Sequence, residues 1–359
     1  MIVKKEIGFV PQDTTITLGN PVFIDCKNAP FKLYGVNKNT FARMPVDVAK
    51  RVSPSVEQSS QTSNGGRLRF RTDSDYVVVH AKIKDVSPNF QQAKSDACGI
   101  DMLAKTGKDW FVPGTCIPSQ GDGKDYIEYR TRFDKSFKMK EILLHFPIET
   151  RIESLSIALR EGSILEEPTE YKYTNPVVFY GSSITFGACA SKPSNTYCAM
   201  VSRMLDTDFI NLGFGGACKA EDSMIDYLKN LKMSVFVYDY DHNAPTPEYL
   251  EQTHFRGYCR FREKQPDTPV IFASKPDYSY DIFTYDKDVN KVRRRIIMKS
   301  YEQALKLGDK NVSFVDGKKI YPKDVSPFCS VDGCHPNDLG YMYMAKAFSK
   351  AIREFIEKD

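Results

Sequence analysis

Short runs in which apolar and polar residues alternate fill the first part of the chain. In "GGRLRFRTDSDYVVVHAKI" (65–83) Leu68 and Phe70 fall on one face, the pattern breaks at "TDSD", and it resumes through Tyr76, Val77 and Val79. "KEILLHFPI" and "IESLSIALREG" behave in the same way, so the spacing predicts short strands rather than helices. Closely spaced strands of this kind predict an antiparallel β-sandwich. "PVDVAKRVS" is the exception and reads as one short helix. The polar stretch "EEPTEYKYTNP" reads as a linker, which divides the chain into residues 1–170 and 171–359.

Beyond residue 175 the texture changes. "PVVFYG", "DFINLGFGG", "SVFVYDYD", "PVIFAS" and "VSFVDG" are compact apolar runs, and "AEDSMIDYLKNL" and "VNKVRRRIIMKSYEQALKLG" between them carry helical spacing. Strands alternating with helices predict a parallel sheet covered on both faces. Ligands of such sheets sit beyond the carboxyl ends of the strands, so the residues that follow each strand carry the chemistry.

Gly181, Ser182 and Ser183 follow the first strand. A serine there either caps the following helix or stands as a nucleophile whose own N–H faces the ligand near the helix's positive end. The glycine-rich "NLGFGGACKAED" after the second strand is either a tight turn or a place where backbone amides approach a ligand. Asn243 follows the third strand and precedes Pro245 and Pro247, which predicts a rigid loop holding its amide. Asp239, Asp241 and His242 are ligand-type residues in the same stretch, but they are too few for a closed metal site, so no metal is expected. After the last strand, Asp332 and His335 stand three apart, close enough for the carboxylate to accept from Nδ1–H and leave Nε2 as a base. The other histidines, His80, His145, His242 and His254, are expected to be structural.

Composition narrows the possibilities. The 359 residues are 41% hydrophobic, enough for a large core or two domains. Fifty basic and forty-six acidic side chains leave +4, spread along the chain, which argues against a nucleic-acid partner. No apolar run reaches membrane-spanning length, and the start "MIVKKEIGFV" has no useful h-region. Nine irregularly spaced cysteines without a C-x-x-C pair then predict reduced thiols and a cytoplasmic protein.

The four strand-end groups occur in the order Ser, Gly, Asn, His, and this order resembles the SGNH (GDSL-like) hydrolase superfamily. "YGSSIT" is similar to the family's first block and puts the nucleophile on Ser183. "NLGFGG" resembles the second, with the oxyanion glycine on Gly216, and "DHN" the third, with its asparagine at Asn243. "DGCHPND" resembles the fifth and matches Asp332 and His335. Ser182 stands where the family often has Asp, and Asp241 where a glycine is common. Thr185 after Ile184 breaks the Gly-x-Ser-x-Gly pattern of the α/β-hydrolase elbow. In the first half, "ARMPVDVAKRVSPSVEQSSQTSNGGRLRFRTDS" and "GIDML" resemble segments of a two-domain SGNH esterase group, the latter its "GxDLY" signature.

The resemblance implies a three-layer, flavodoxin-like α/β/α catalytic domain after a jelly-roll-like β-sandwich. It implies Ser183, His335 and Asp332 as catalytic residues, an oxyanion hole of Ser183 N–H, Gly216 N–H and Asn243, and no cofactor. The expected substrate is a short acyl ester, foremost an acetyl group on a carbohydrate. Trp110, Tyr126 and Tyr129 are candidates for stacking on sugar faces, although each also suits ordinary packing. A lipase or thioesterase, and a carbohydrate-binding protein without activity, are the competing readings.

Overall fold

The computed structural model describes residues 1–11, 13–16, 19–83, 91–118, 126–134, 136, 138–276 and 288–357. The chain forms two compact units. One comprises Met1–Arg43, Thr62–Glu170 and Lys192–Ser194, the other Met44–Gln61, Tyr171–Ser191 and Asn195–Asp359.

The first unit is a β-sandwich of antiparallel strands. One sheet holds β1 (Pro21–Asp25), β4 (Tyr76–Ile83), β7 (Tyr126–Arg132) and β9 (Ile152–Arg160), in the order β1-β9-β4-β7. The other runs β10-β3-β8-β5-β6 and comprises β3 (Arg67–Thr72), β5 (Ile100–Thr106), β6 (Asp109–Cys116), β8 (Lys140–His145) and β10 (Leu165–Glu166). A short β2 (Lys32–Tyr34) pairs with β3. Alternation puts Val77, Val79 and Ala81 of one sheet and Leu68, Phe70, Ile142 and Leu144 of the other into a single buried core. A one-turn helix α3 (Lys94–Ala97) leads into β5.

The stretch "PVDVAKRVS" departs from its expected place. It forms α1 (Val46–Val52), Ser53 caps a second helix α2 (Pro54–Ser60) by accepting from Val56 N–H, and both belong to the second unit. Met44, Ala49 and Val56 are buried in that unit's core, so its boundary is not one cut in the sequence.

The second unit is a parallel sheet of β11 (Tyr173–Gly181), β12 (Thr207–Gly213), β13 (Val235–Asp239), β14 (Val270–Ala273) and β15 (Val312–Val315), in the order β12-β11-β13-β14-β15. Val178, Tyr180, Phe236, Tyr238 and Phe272 face α6 (Asp222–Leu228), α7 (Pro247–Arg262) and α8 (Val289–Lys306). Val177, Phe179, Val237 and Ile271 face α5 (Tyr197–Leu205) and α9 (Asp338–Ile356). Burial on both faces explains why these strands read as unbroken apolar runs. The strand order is the flavodoxin-like one, and its switch point lies at the carboxyl end of β11. All nine cysteines are free thiols, and no described helix is long and apolar enough to cross a membrane.

Candidate active site

At the end of β11 the chain turns too sharply for a side chain at Gly181, where a Cβ would lie 2.0 Å from Thr185 Oγ1 and 2.5 Å from the Asp239 carbonyl oxygen. The two serines then divide the roles that were open for either one. Ser182 is buried, and its Oγ accepts from Ile184 N–H at 3.2 Å as the cap. Ser183 is partly exposed, and its Oγ lies 2.9 Å from His335 Nε2. The helix it opens, α4 (Ser183–Phe186), is a single turn that ends at Gly187 with φ 106°. So short a helix has little macrodipole, and local N–H groups rather than a helix end must supply any anion stabilisation here.

Two buried side chains fix this turn. Asn211 Nδ2 donates to the Thr185 carbonyl at 2.8 Å while its Oδ1 accepts from Gly213 N–H, stitching the turn to the end of β12. Tyr341 on α9 donates to the carbonyls of Ile184 and Ala188 at 3.2 and 2.8 Å.

His335 sits in the loop before α9. Its Nδ1 lies 2.8 Å from Asp332 Oδ2, and Asp332 Oδ1 accepts the N–H groups of Cys334 and His335 at 2.9 and 2.7 Å. Burial opposes the charge of Asp332, but the hydrogen bonds from His335 and the two backbone amides outweigh it and hold the carboxyl below its ordinary range. The loop closes through a Ser330–Pro336 bridge, and Asn337 caps α9 by accepting from Leu339 and Gly340 N–H.

The glycine-rich turn after β12 runs alongside the serine. A Cβ on Gly215 would lie 3.7 Å from Ser183 Cβ, and Gly216 takes φ 67° with open space on its Cβ side. Asn243 lies on a single 3-10 turn, Asp241–Asn243, after β13. Its Oδ1 accepts from Cys218 N–H at 3.3 Å, which orients the amide and leaves Nδ2 as a donor.

The residues between Asp239 and His242 have other duties. Asp239 is buried and accepts from Thr185 Oγ1 and Tyr197 OH at 3.0 and 3.1 Å. Burial, with Asp241 nearby, pushes its carboxyl up to about 7 against those two hydrogen bonds. His242 Nε2 lies 2.9 Å from Cys334 Sγ, next to His335, and burial first, then the charges of Lys275, His335 and Arg293, keep this imidazole neutral. It thus adjoins the site, whereas His145 and His254 are buried within their own units. Among the described residues no cluster of His, Cys, Asp and Glu is built to hold a metal.

Asp239 gives the fold a pH dependence. Its raised pKa means that the folded chain keeps a proton that the unfolded chain has released, so its stabilising contribution is greatest at acid pH and is lost as pH rises from about 4, the ordinary carboxylate value, to about 7. Asp239→Asn is expected to flatten the fall in Tm across this window and to gain most over the parent near neutral pH. Parallel Tm profiles for the two proteins would contradict that assignment.

Trp110 lies in the other unit, on β6, paired with Lys105 of β5, whose Nζ stands 5.5 Å from the centre of its ring. Tyr126 stacks on His80 at 5.0 Å, on the face of its sheet opposite the core that holds Val77, Val79 and Ile127.

A flavodoxin-like α/β unit with Ser183, His335 and Asp332 in hydrogen-bonded series at its strand ends defines the class. The chain belongs to the GDSL-like lipase/acylhydrolase family, whose model matches residues 174–353, half of its length. Residues 22–165 match the N-terminal domain of SGNH-hydrolase-type esterases. A protein described as a GDSL-like lipase from Bacteroides ovatus is 25% identical, with 94% of this chain and 98% of that one covered and a TM-score of 0.85. The salicylyl-acyltransferase SsfX3 from a tetracycline biosynthetic pathway is 19% identical over 94% and 98% of the two chains, with a TM-score of 0.76. A family 2 carbohydrate esterase with a carbohydrate-binding domain from Corynascus thermopiles (Myceliophthora fergusii) is 12% identical over 91% and 99%, with a TM-score of 0.62. The last two likenesses are of fold. No curated protein matches the chain. The chain is an SGNH-type hydrolase of acyl esters.

Proposed function

We propose that the protein removes short acyl groups, foremost acetyl, from carbohydrate hydroxyls. The observation that carries the reading is the 2.9 Å approach of Ser183 Oγ to His335 Nε2, with Asp332 behind the imidazole. His335 takes the serine proton as Oγ attacks the ester carbonyl, and Asp332 holds the tautomer that leaves Nε2 able to accept it. The N–H groups of Ser183 and Gly216 and Nδ2 of Asn243 receive the oxyanion. Return of the proton expels the sugar alcohol, and water activated by His335 then releases the acid from the acyl-enzyme. Every step is carried by side chains, backbone N–H groups and water.

The carbohydrate part rests on the match of residues 22–165 to the N-terminal domain of SGNH-hydrolase-type esterases and on the likeness to the family 2 carbohydrate esterase fold. Trp110, partly exposed on β6, is proposed as a sugar-stacking residue of the N-terminal unit. A panel of p-nitrophenyl acetate, butyrate and octanoate, with acetylated xylan and mannan oligosaccharides, tests the reading. Turnover is expected to fall with acyl length, and acetate to be released from the oligosaccharides. Preference for octanoate would favour a lipase instead.

A further inference from the structure

Within the catalytic unit a cavity of about 170 Å³ lies under the first turn of α8. Its wall is rich in cations: Lys275, Lys291, Arg294, Arg295 and Lys318 against the single carboxylate of Asp241. Arg294 is engaged by Asp316 at 2.6 Å and Lys291 by Asp288 at 2.7 Å. Arg295 and Lys318 have no carboxylate within salt-bridge distance among the described residues, so the wall keeps a surplus of positive charge.

Two buried polar atoms of the same wall have no hydrogen-bond partner among the described residues, the acceptor Asp241 Oδ1 and the donor Asn290 Nδ2. Asp241 itself is 2% exposed, and its other oxygen accepts from Lys275 N–H at 2.9 Å. An orphaned buried group of this kind costs stability unless something fills it. The complement of this wall is one small molecule that offers a hydroxyl to Asp241, an oxygen to Asn290 and an anionic group to Arg295 and Lys318. Asp241 stands two residues before Asn243 on the same 3-10 turn, so one short turn carries both a wall residue of the cavity and the asparagine of the candidate active site.

We propose that this cavity is a subsite for a carboxylated sugar, a uronate residue of the acetylated glycan, an inference that rests on the esterase reading above. A sugar ring supplies the hydroxyls and its carboxylate the charge, and the cavity has room for one ring rather than a chain. The subsite makes acidic oligosaccharides better substrates than neutral ones, and it weakens as salt is raised because Arg295 and Lys318 are exposed.

The test is binding to Ser183→Ala protein, which needs no turnover, followed by NMR or calorimetry with D-glucuronate, D-glucose and inorganic phosphate. Glucuronate is expected to bind more tightly than glucose and phosphate, and Arg295→Ala/Lys318→Ala to weaken it about tenfold or more through loss of charge-assisted hydrogen bonds. Glucuronate binding no tighter than glucose, phosphate binding tighter than glucuronate, or a double variant that binds glucuronate normally would each overturn the subsite. The double variant in the Ser183 background is expected to hydrolyse p-nitrophenyl acetate at the parental rate, and a collapse there would also count against it. Should the parent protein fail on p-nitrophenyl acetate, the esterase reading falls, while the binding measurement decides the subsite separately.

Discussion

Ser183→Ala is expected to lower kcat on p-nitrophenyl acetate by about 10⁴–10⁶-fold, as loss of a nucleophile does when the remaining groups can still bind substrate and stabilise an oxyanion. Ser182→Ala is expected to keep most of the activity. The adjacent hydroxyls differ in what they touch: Ser183 Oγ faces His335 Nε2 at 2.9 Å, whereas Ser182 Oγ is turned inward and accepts from Ile184 N–H. Removing the cap should therefore appear as lower thermal stability, by about 1 kcal/mol, with little change in kcat. A fluorophosphonate probe should label Ser183 in the parent and in Ser182→Ala and label nothing in Ser183→Ala. A label on Ser182, or a reversed order of the two losses, would put the nucleophile at the wrong residue.

Much of this site was legible because strand ends of a parallel sheet are where ligands bind, and the apolar runs mark those ends. Ser183, Asn243, Asp332 and His335 each follow such a run, and the structure places Ser183, His335 and Asp332 in one hydrogen-bonded series. The residues that hold the series in place were not legible. Asn211 and Tyr341 tie down the serine turn across 26 and 157 residues of chain, and His242 meets Cys334 across 92. No local pattern encodes contacts at such separations. Asp239 was read only as a ligand-type carboxylate, although a carboxylate closing a buried strand needs donors, which Thr185 and Tyr197 provide. The helices show the same division. α8 repeats its apolar face over eighteen residues and was visible in the spacing, whereas α5 has only nine residues, too few turns for a helical period to stand out. The pair α1 and α2 lies in the first half of the sequence yet packs through Ala49 and Val56 on the catalytic unit's core, a long-range choice that composition does not announce.

The second large effect is expected for Asp332→Asn, a loss of about 10⁴-fold in kcat with KM little changed. Asp332 does two things that the substitution separates. Its Oδ1 accepts the N–H groups of Cys334 and His335, which shapes the loop, and its Oδ2 accepts from His335 Nδ1, which sets the tautomer. An asparagine keeps its carbonyl oxygen on the two backbone donors and must then turn its NH₂ toward Nδ1. Nδ1 becomes an acceptor, the ring proton moves to Nε2, and the nitrogen that faces Ser183 no longer accepts a proton. Loop geometry and Tm should stay close to the parent for Asn and fall for Asp332→Ala, which removes the backbone contacts as well. The comparison therefore separates positioning from folding: both variants lose activity, but only Ala loses stability. A kcat loss below tenfold for Asp332→Asn would mean that another group orients the imidazole, and Ser183 and His335 would then act as a dyad.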